Sequence, residues 1–481
     1  MAILTHPDYD RHLASWDKII DFYQGSDHVK SLGVKYLPMT PMMVEDNLNN
    51  PKSGDTVYEN YLVRAVFPEY VQSAVDVAIG LIHQKPASIE VPVGMEKIVQ
   101  SLSNKGESAL ELLARINLNQ LVPGRCGLLI DLPTDAVASS DPYVALYSAT
   151  SIPNWDESSD FVNTDKVDLV VLDETGYVRE GLSWITKIKH RVLKFEDGVY
   201  SQCVFEGSEF DLSSTDFIEP MLTGNRFEDI PFIFVNGKDL LPQPDIPPLL
   251  ALANMVQTIY LGEADYRYTL FMQSQETFVT KGTVMNTNPS KPDDPIKVGA
   301  GSHLAMQIDG DAKYVGVSSK GLSEQRASLA ADRQRAEEHT GKITSASRAN
   351  VESGEALRVR LGAKAATLNQ IAITSANALE RALKRIAKLK RLNPDEVIVK
   401  PNLEFAKIGM QGQELVNMMS AKSLGAPLSL ESIHAYLVDK GLTSMQFMDE
   451  VNKIKDEEKL GINPTVNNPA SVQPNNPTNM K

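Results

Sequence analysis

The spacing of apolar residues changes period twice along the chain, from threes and fours to alternation and back. Tyr9 to Tyr23 reads as a short helix, followed by a loop punctuated by Pro38 and Pro41. From Thr56 to His83, Val57, Tyr61, Val66, Tyr70, Val71, Ala74, Ala78 and Leu81 recur at helical spacing, and Pro86 ends the run. Pro68 lies inside it and is expected to kink the helix or split it in two. Two shorter helical patterns follow, near 95–104 and 108–119, the second with Ser108 as N-cap. From Gly124 the residues become β-branched or aromatic in short runs bounded by turn residues. These runs predict strands over Cys126–Leu132, Pro142–Tyr147, Val167–Asp173, Leu182–Leu193, Val199–Phe205 and Ile230–Val235. Asp197-Gly198 is a hairpin turn between two of them. The expected class is α+β, with an antiparallel sheet.

The helical period returns at Asp245, which can cap a helix carrying Pro247 and Pro248 in its first turn and running to about Gln273. Glu276 to Gly321 breaks into short strands and turns. Leu322 to Thr340 reads as a polar helix, and Gly341 to Asn350 as a small-residue loop. Val351 to Leu392 then forms the strongest pattern in the chain. Leu357, Leu361, Ala365, Leu368, Ala372, Leu379, Leu383, Ile386 and Leu389 keep one face until Pro394 stops the helix. At 1.5 Å per residue it would reach about 60 Å, longer than one compact domain requires. Gln411 to Leu460 reads as a small helical bundle with Ser429 as a cap, and the Asn- and Pro-rich segment after Gly461 reads as disordered.

Composition narrows the function classes. The 481 residues, 42% apolar and 23% charged, are ordinary for globular protein and correspond to about three domains. Cys126 and Cys203 are too far apart for a disulfide framework or zinc ribbon and fit a reducing compartment. No apolar run approaches a spanning helix, no secretory signal is visible, and no membrane association is expected. No phosphate-binding loop, nucleophile elbow, dinucleotide fingerprint or zinc-protease motif is present. The nearest phosphate-loop match, Thr340-Gly341-Lys342-Ile343-Thr344, lacks its upstream glycine. The acidic runs Asp156-Glu157 with Asp160, Asp293-Asp294 and Asp456-Glu457-Glu458 read as solvated faces rather than a magnesium site. His83 and His339 read as groups at helix C-termini. The expectation is a non-enzyme with no cofactor, no metal and no catalytic residue.

Charge distribution says more than its sum. The chain carries −15, yet Lys342 to Arg391 holds eleven basic residues against three acidic ones. That leaves +8 in this stretch and −23 in the rest. Complementing the helix dipole accounts for Arg381 to Arg391. It does not account for Lys342 and Arg348, which flank the small-residue loop and suit transient, sequence-independent contact with phosphates.

The order of elements and three local patterns resemble the portal (head–tail connector) proteins of tailed double-stranded DNA bacteriophages. The first pattern is Tyr58 to Phe67 followed by Gly80 to Pro86. The second is Ile246 to Ala253, opening a helix with Ala264-Asp265-Tyr266-Arg267. The third is Ser353-Gly354-Glu355-Ala356-Leu357, leading into Arg358 to Leu361. The resemblance covers about Thr56 to Leu392; residues 1–50 and the Asn/Pro-rich tail match nothing in it. It implies a portal fold: a wing over 1–244, a first stem helix over 245–275 and a clip over 276–321. A second stem helix would follow over 322–341, then a tunnel loop over 342–350. The long wing helix and wing closure would occupy 351–410, a helical crown 411–460 and the tail 461–481. It further implies a homododecameric ring at one capsid vertex, in a virion assembled in the host cytoplasm. Its partners would be double-stranded DNA, the terminase large subunit, head–tail adaptor proteins and the major capsid or scaffold protein. Lys342 and Arg348 would line the DNA channel. Phe278, Met285 and His303 are candidates for partner docking at the clip, although Phe278 and Met285 serve equally well as that segment's own small core. Two other classes stay open: a capsid-associated adaptor or scaffold that never touches DNA, and a packaging enzyme such as a nuclease or terminase subunit.

Overall fold

The computed structural model describes residues 5–133, 140–157, 167–207, 216–222, 224–274, 277–281, 284–285, 305–306, 308–315, 321–340, 354–403, 412–439, 443 and 445–459. The chain forms two compact units, Met1–Phe405 and Ala406–Lys481, against the three that length alone predicts. The class is α+β, and every sheet ladder among the described residues is antiparallel.

The first unit opens with helix α1 (Pro7–Tyr23), then α2 (Ser26–Ser31) and α3 (Pro41–Asn49). The last two occupy the segment expected to be a loop. Pro41 sits at the first helical position, where its missing N–H costs nothing, and the Thr40 hydroxyl caps the turn by accepting from Met43 N–H. The helix expected over 56–83 is two helices, α4 (Pro51–Arg64) and α5 (Tyr70–Ile82), separated at Pro68. After strand β1 (Ser88–Glu90) come α6 (Glu96–Gln100) and α7 (Ala109–Leu121). Ser108 and Glu111 form a capping box at the start of α7. His83 follows α5 directly, but its ring does not cap the helix: Nε2 meets Asn117 Oδ1 of α7 at 2.9 Å. Burial holds this imidazole below its ordinary pKa, so the neutral form is favoured.

The β region contains β2 (Arg125–Asp131), β3 (Tyr143–Ser148), β4 (Asn154–Glu157), β5 (Val167–Asp173), β6 (Gly176–Glu180) and β7 (Ser183–Lys187). It continues through β8 (Lys189–Glu196), β9 (Val199–Glu206), β10 (Met221–Leu222), β11 (Asn225–Arg226) and β12 (Phe232–Asn236). One sheet has the order β12-β2-β3 and another β4-β5-β8-β9, while β6-β7 and β10-β11 are separate hairpins. The strand expected over Leu182–Leu193 is therefore two strands, β7 and β8, in different sheets. Asp197 and Gly198 both have positive φ, at 53° and 76°, as a tight hairpin turn requires. Gly127 in β2 lies under the Phe232 ring, where a Cβ would come within 2.0 Å, so no other residue fits that ladder position.

The chain then enters α8 (Leu250–Gln273), β13 (Thr277–Lys281), β14 (Val284–Met285), β15 (Ala305–Met306), β16 (Asp311–Val315), α9 (Leu322–Thr340) and α10 (Gly354–Leu389). Strand β17 (Ile398–Lys400) returns to pair with β1. Asp245 does not cap α8, whose N-cap is Leu249. Each residue before a proline is pushed out of the helical region, so the helix cannot begin until Pro248 has passed. Asp245 instead accepts the Lys238 N–H.

Two apolar cores fill this unit. One lies between the β2 and β5 sheets, α7 and the second half of α10; the other gathers α1, α4, α5 and α8. Helix α10, with 36 residues and about 54 Å of length, contributes to both: Ile371 and Ala372 to the second, Ala376 to Leu389 to the first. The second unit holds α11 (Gly412–Ser423), α12 (Leu430–Asp439) and α13 (Phe447–Lys459), with the Ser429 hydroxyl capping α12. Residues 461–481 lie outside the described residues.

A buried ion cluster joins the two sheets. Arg191 of β8 donates to Asp131 of β2 at 2.8 Å and to Glu174 at 2.7 Å, and Tyr147 of β3 donates to Glu174 at 2.7 Å. Burial raises the Glu174 carboxyl, but Arg191, Tyr147 and Lys189 override it and hold the group below the ordinary carboxylate range.

Two measurements check these assignments. Leu379→Ala, at a fully buried site of α10, is expected to cost about 2–5 kcal/mol in denaturant melts. Leu368→Ala, half-buried, is expected to cost less; Leu361, predicted on the same stripe, has a side chain outside the described residues. An unaffected Leu379→Ala would contradict the packing of α10. Arg191→Met is expected to cost about 3 kcal/mol at neutral pH, because it strands two carboxylates. The folded-state pKa of Glu174 lies below the unfolded one. The stabilisation is thus complete above about pH 4.3 and disappears as pH falls through the lowered value. The gap between wild type and Arg191→Met should therefore narrow in melts on acidification; a constant gap would mean that Arg191 acts through packing alone.

Candidate functional site, a helix pair carrying a small sheet

Helices α8 and α9 lie side by side because small and charged residues interlock between them. A Cβ on Gly262 would meet Leu329 Cδ2 at 2.9 Å, so the glycine marks the closest approach of the two helices. One position on, Glu263 is nearly fully buried and bound twice. Arg267, one turn along α8, donates Nε at 2.8 Å, and Arg333 of α9 pairs with the other carboxylate oxygen. Both arginines keep their outer faces in solvent, so the buried carboxylate acts as a polar clamp within the contact between the two helices.

Helices α4 and α5 brace the base of this pair. Tyr61 donates to Asp265 at 2.6 Å and stacks edge-on against Tyr268. Burial, and the carboxylate that it donates to, raise the Tyr61 phenol well above its ordinary range, so it stays a donor. Tyr70 reaches Glu337 of α9 at 3.5 Å. The Arg64 guanidinium lies over the Phe271 ring, 3.7 Å from its centroid.

Beyond the helices, β13 pairs with β16 from Thr277↔Val315 to Lys281↔Asp311, and β14 pairs with β15. The chain thus leaves α8 and returns to α9 through a narrow antiparallel ribbon. Phe278 lies in this ribbon opposite Tyr314, with ring centroids 5.2 Å apart. That contact makes it part of the ribbon's own packing, while Val279, Tyr314 and Val315 are its exposed apolar side chains. Met285 stands at a register position in β14 opposite Ala305. His303, Lys342 and Arg348 lie outside the described residues.

The basic end of α10 is committed to internal partners. Arg385 pairs with Asp229 at 2.7 Å and donates to two carbonyls near β12; Lys384 pairs with Glu380 at 2.6 Å. Lys390 pairs with Asp141, and Arg391 donates twice to Asn225. These cations hold the helix end to the sheet. Among the described residues no three His, Cys, Asp or Glu side chains converge as a metal site would require. No helix among them is long and apolar enough to cross a membrane.

Sequence reasoning missed the clamp itself. The Glu263–Arg267 spacing of four was available as a signal, but nothing in the sequence pointed to Arg333.

No curated protein matches the chain. Among solved structures, the neck of a native GTA particle computed with C12 symmetry is similar at 12% identity, over 76% of this chain and 89% of that chain, with a TM-score of 0.36. Residues 248–389 match a family described as a domain of unknown function, DUF4055. The matched stretch begins at Pro248, just before α8, and ends at Leu389, the last residue of α10. It therefore takes in the helix pair, the ribbon and the long helix together.

Proposed function

We propose that this chain is a non-enzymatic portal subunit of a tailed double-stranded DNA phage or a related particle. Twelve copies would form a ring at one capsid vertex through which the genome is packaged and later released. The observation that carries the reading is α9. Of its 19 residues only Leu329 and Ala336 are buried among the described side chains. Leu329 packs against Gly262 and Ala336 enters the helical core, while most of the remaining described surface of α9 is polar and lies outside the cores. Packing such helix pairs side by side around an axis would cover the flanks and leave a polar inner wall suited to DNA.

The sequence supports the same reading. The loop holding Lys342 and Arg348 follows α9 directly, so a ring would repeat its two cations around the axis. The ribbon β13–β16 would stand at one end of the ring, as the docking surface for the terminase and then for tail adaptors. The acidic remainder of the chain would keep duplex DNA from adhering elsewhere.

Negative-stain microscopy of the purified protein is expected to give rings with an axial hole; monomers or filaments would overturn the proposal. Replacing Lys342 and Arg348 with Glu is expected to leave rings intact and to lower the rate of DNA packaging. A full genome packaged at the normal rate by intact mutant rings would remove the electrostatic role of the loop. Deleting the ribbon while keeping α8 and α9 is expected to abolish terminase recruitment.

A further inference from the structure

The hairpin β6–β7 is exposed in a way that its chain does not explain. It is an isolated two-stranded sheet, and none of its side chains belongs to either core or to the smaller cluster beside them. Such a ribbon is marginally stable alone. Yet Leu182 at its tip is 94% exposed, Tyr177 77% and Trp184 66%, with Val178 and Ile185 also open. A leucine at the tip of a turn and a neighbouring open tryptophan are residues that solvent does not favour. Arg179, cross-strand from Trp184, is held toward the tip by donating Nε to Gly181 O at 2.7 Å. It has no ion pair among the described residues.

The same unit carries a surface of the opposite shape. Between the stretch leading into α8 and the middle of α10 lies an open groove of about 830 Å³. Its walls are largely apolar, with Pro247, Pro248, Ala251 and Ile371, and its rim carries Lys238 and Asp245. Burial, and then the neighbouring Asp239 carboxylate, raise the Asp245 carboxyl against the opposing pull of Lys238.

We propose that the β6–β7 hairpin of one copy lodges in the groove of the next, with Trp184 and Leu182 against the apolar walls and Arg179 beside Asp245. The proposal rests on the ring reading above. The charges support this occupant over an unrelated protein. Arg179 is opposite in charge to Asp245 at the rim, and Glu180 at the same tip is opposite in charge to Lys238 of that rim. A knob and a hole on different faces of one chain form a heterologous contact, which closes into a ring when the rotation permits.

The test uses the full-length protein and native mass spectrometry. Wild type is expected to be a ring. Arg179→Asp and Asp245→Arg are each expected to lower the ring fraction at least tenfold while leaving the subunit folded, as circular dichroism would show. The double variant, and an equimolar mixture of the two single variants, are expected to restore rings, because each contact then joins opposite charges. Trp184→Ala is expected to raise the concentration needed for assembly about tenfold. Rings formed equally by wild type and both single variants would overturn the hairpin assignment and leave the ring reading intact. Loss of rings in the single variants without rescue would also overturn it. A monomeric wild type would overturn both.

Discussion

The whole first unit depends on one helix being buried in two places. Helix α10 gives Ile371 and Ala372 to the helical core and Ala376 to Leu389 to the core beneath the sheets. The alanines at 372, 376, 378, 382 and 387 let neighbours approach closely, while Leu379, Leu383 and Ile386 fill the remaining space. Where the two cores meet, the seam is polar. Asn117 donates to Ser375 at 2.7 Å and to Gln120 at 3.0 Å, and Gln120 donates to the Asn236 carbonyl at 2.7 Å. A buried chain of this kind tolerates only one alignment of α10 against α7 and β12, because any slip leaves amides unpaired. The apolar stripe supplies the energy of docking and the seam fixes its register.

This arrangement determines what the rest of the molecule can present. Helix α8 is anchored along its length, by buried Leu252, Val256, Ile259 and Tyr260 in its first half and by Tyr61 and Arg64 against Asp265, Tyr268 and Phe271 in its second. Helix α9 is tied to it through Glu263 and Gly262 and to α5 through Tyr70. The pair is therefore braced by α4 up to Phe271, close to where the ribbon begins. The ribbon is carried on the end of this braced pair, where Tyr314, Val279 and Val315 are exposed.

Elements with one dominant interaction were legible in the sequence. The stripe of α10 from Leu368 to Leu389, the Ser108 cap, the Asp197-Gly198 turn and the break at Pro68 each follow from local chemistry, and each stands in the fold. What was not legible depends on distant partners. His83 read as a group at a helix end because its partner, Asn117, is 34 positions away. The start of α8 was misplaced because Asp245 satisfies a cap pattern that two prolines veto. The candidate site was the least legible part. Charged residues were counted along the chain, whereas Glu263, Arg333 and Arg191 act through pairs that the sequence does not juxtapose.

The partners of the basic residues also change the electrostatic argument. Arg385, Lys384, Lys390 and Arg391 are four of the eleven cations in that stretch, and each has an acidic or amide partner within the fold. A cation already paired with a carboxylate has little net field left for a phosphate, since the pair screens itself within a few ångströms. On the ring reading, this takes the end of α10 out of the DNA interface and leaves the loop after α9 to carry the contact. Two cations per subunit release only a few counterions, so one subunit would hold DNA weakly at physiological salt. A ring makes that weakness useful. In such a ring many equivalent weak sites would keep the duplex centred, because losing a contact on one side would be offset on another, and no single site would bind tightly enough to stop the strand from advancing.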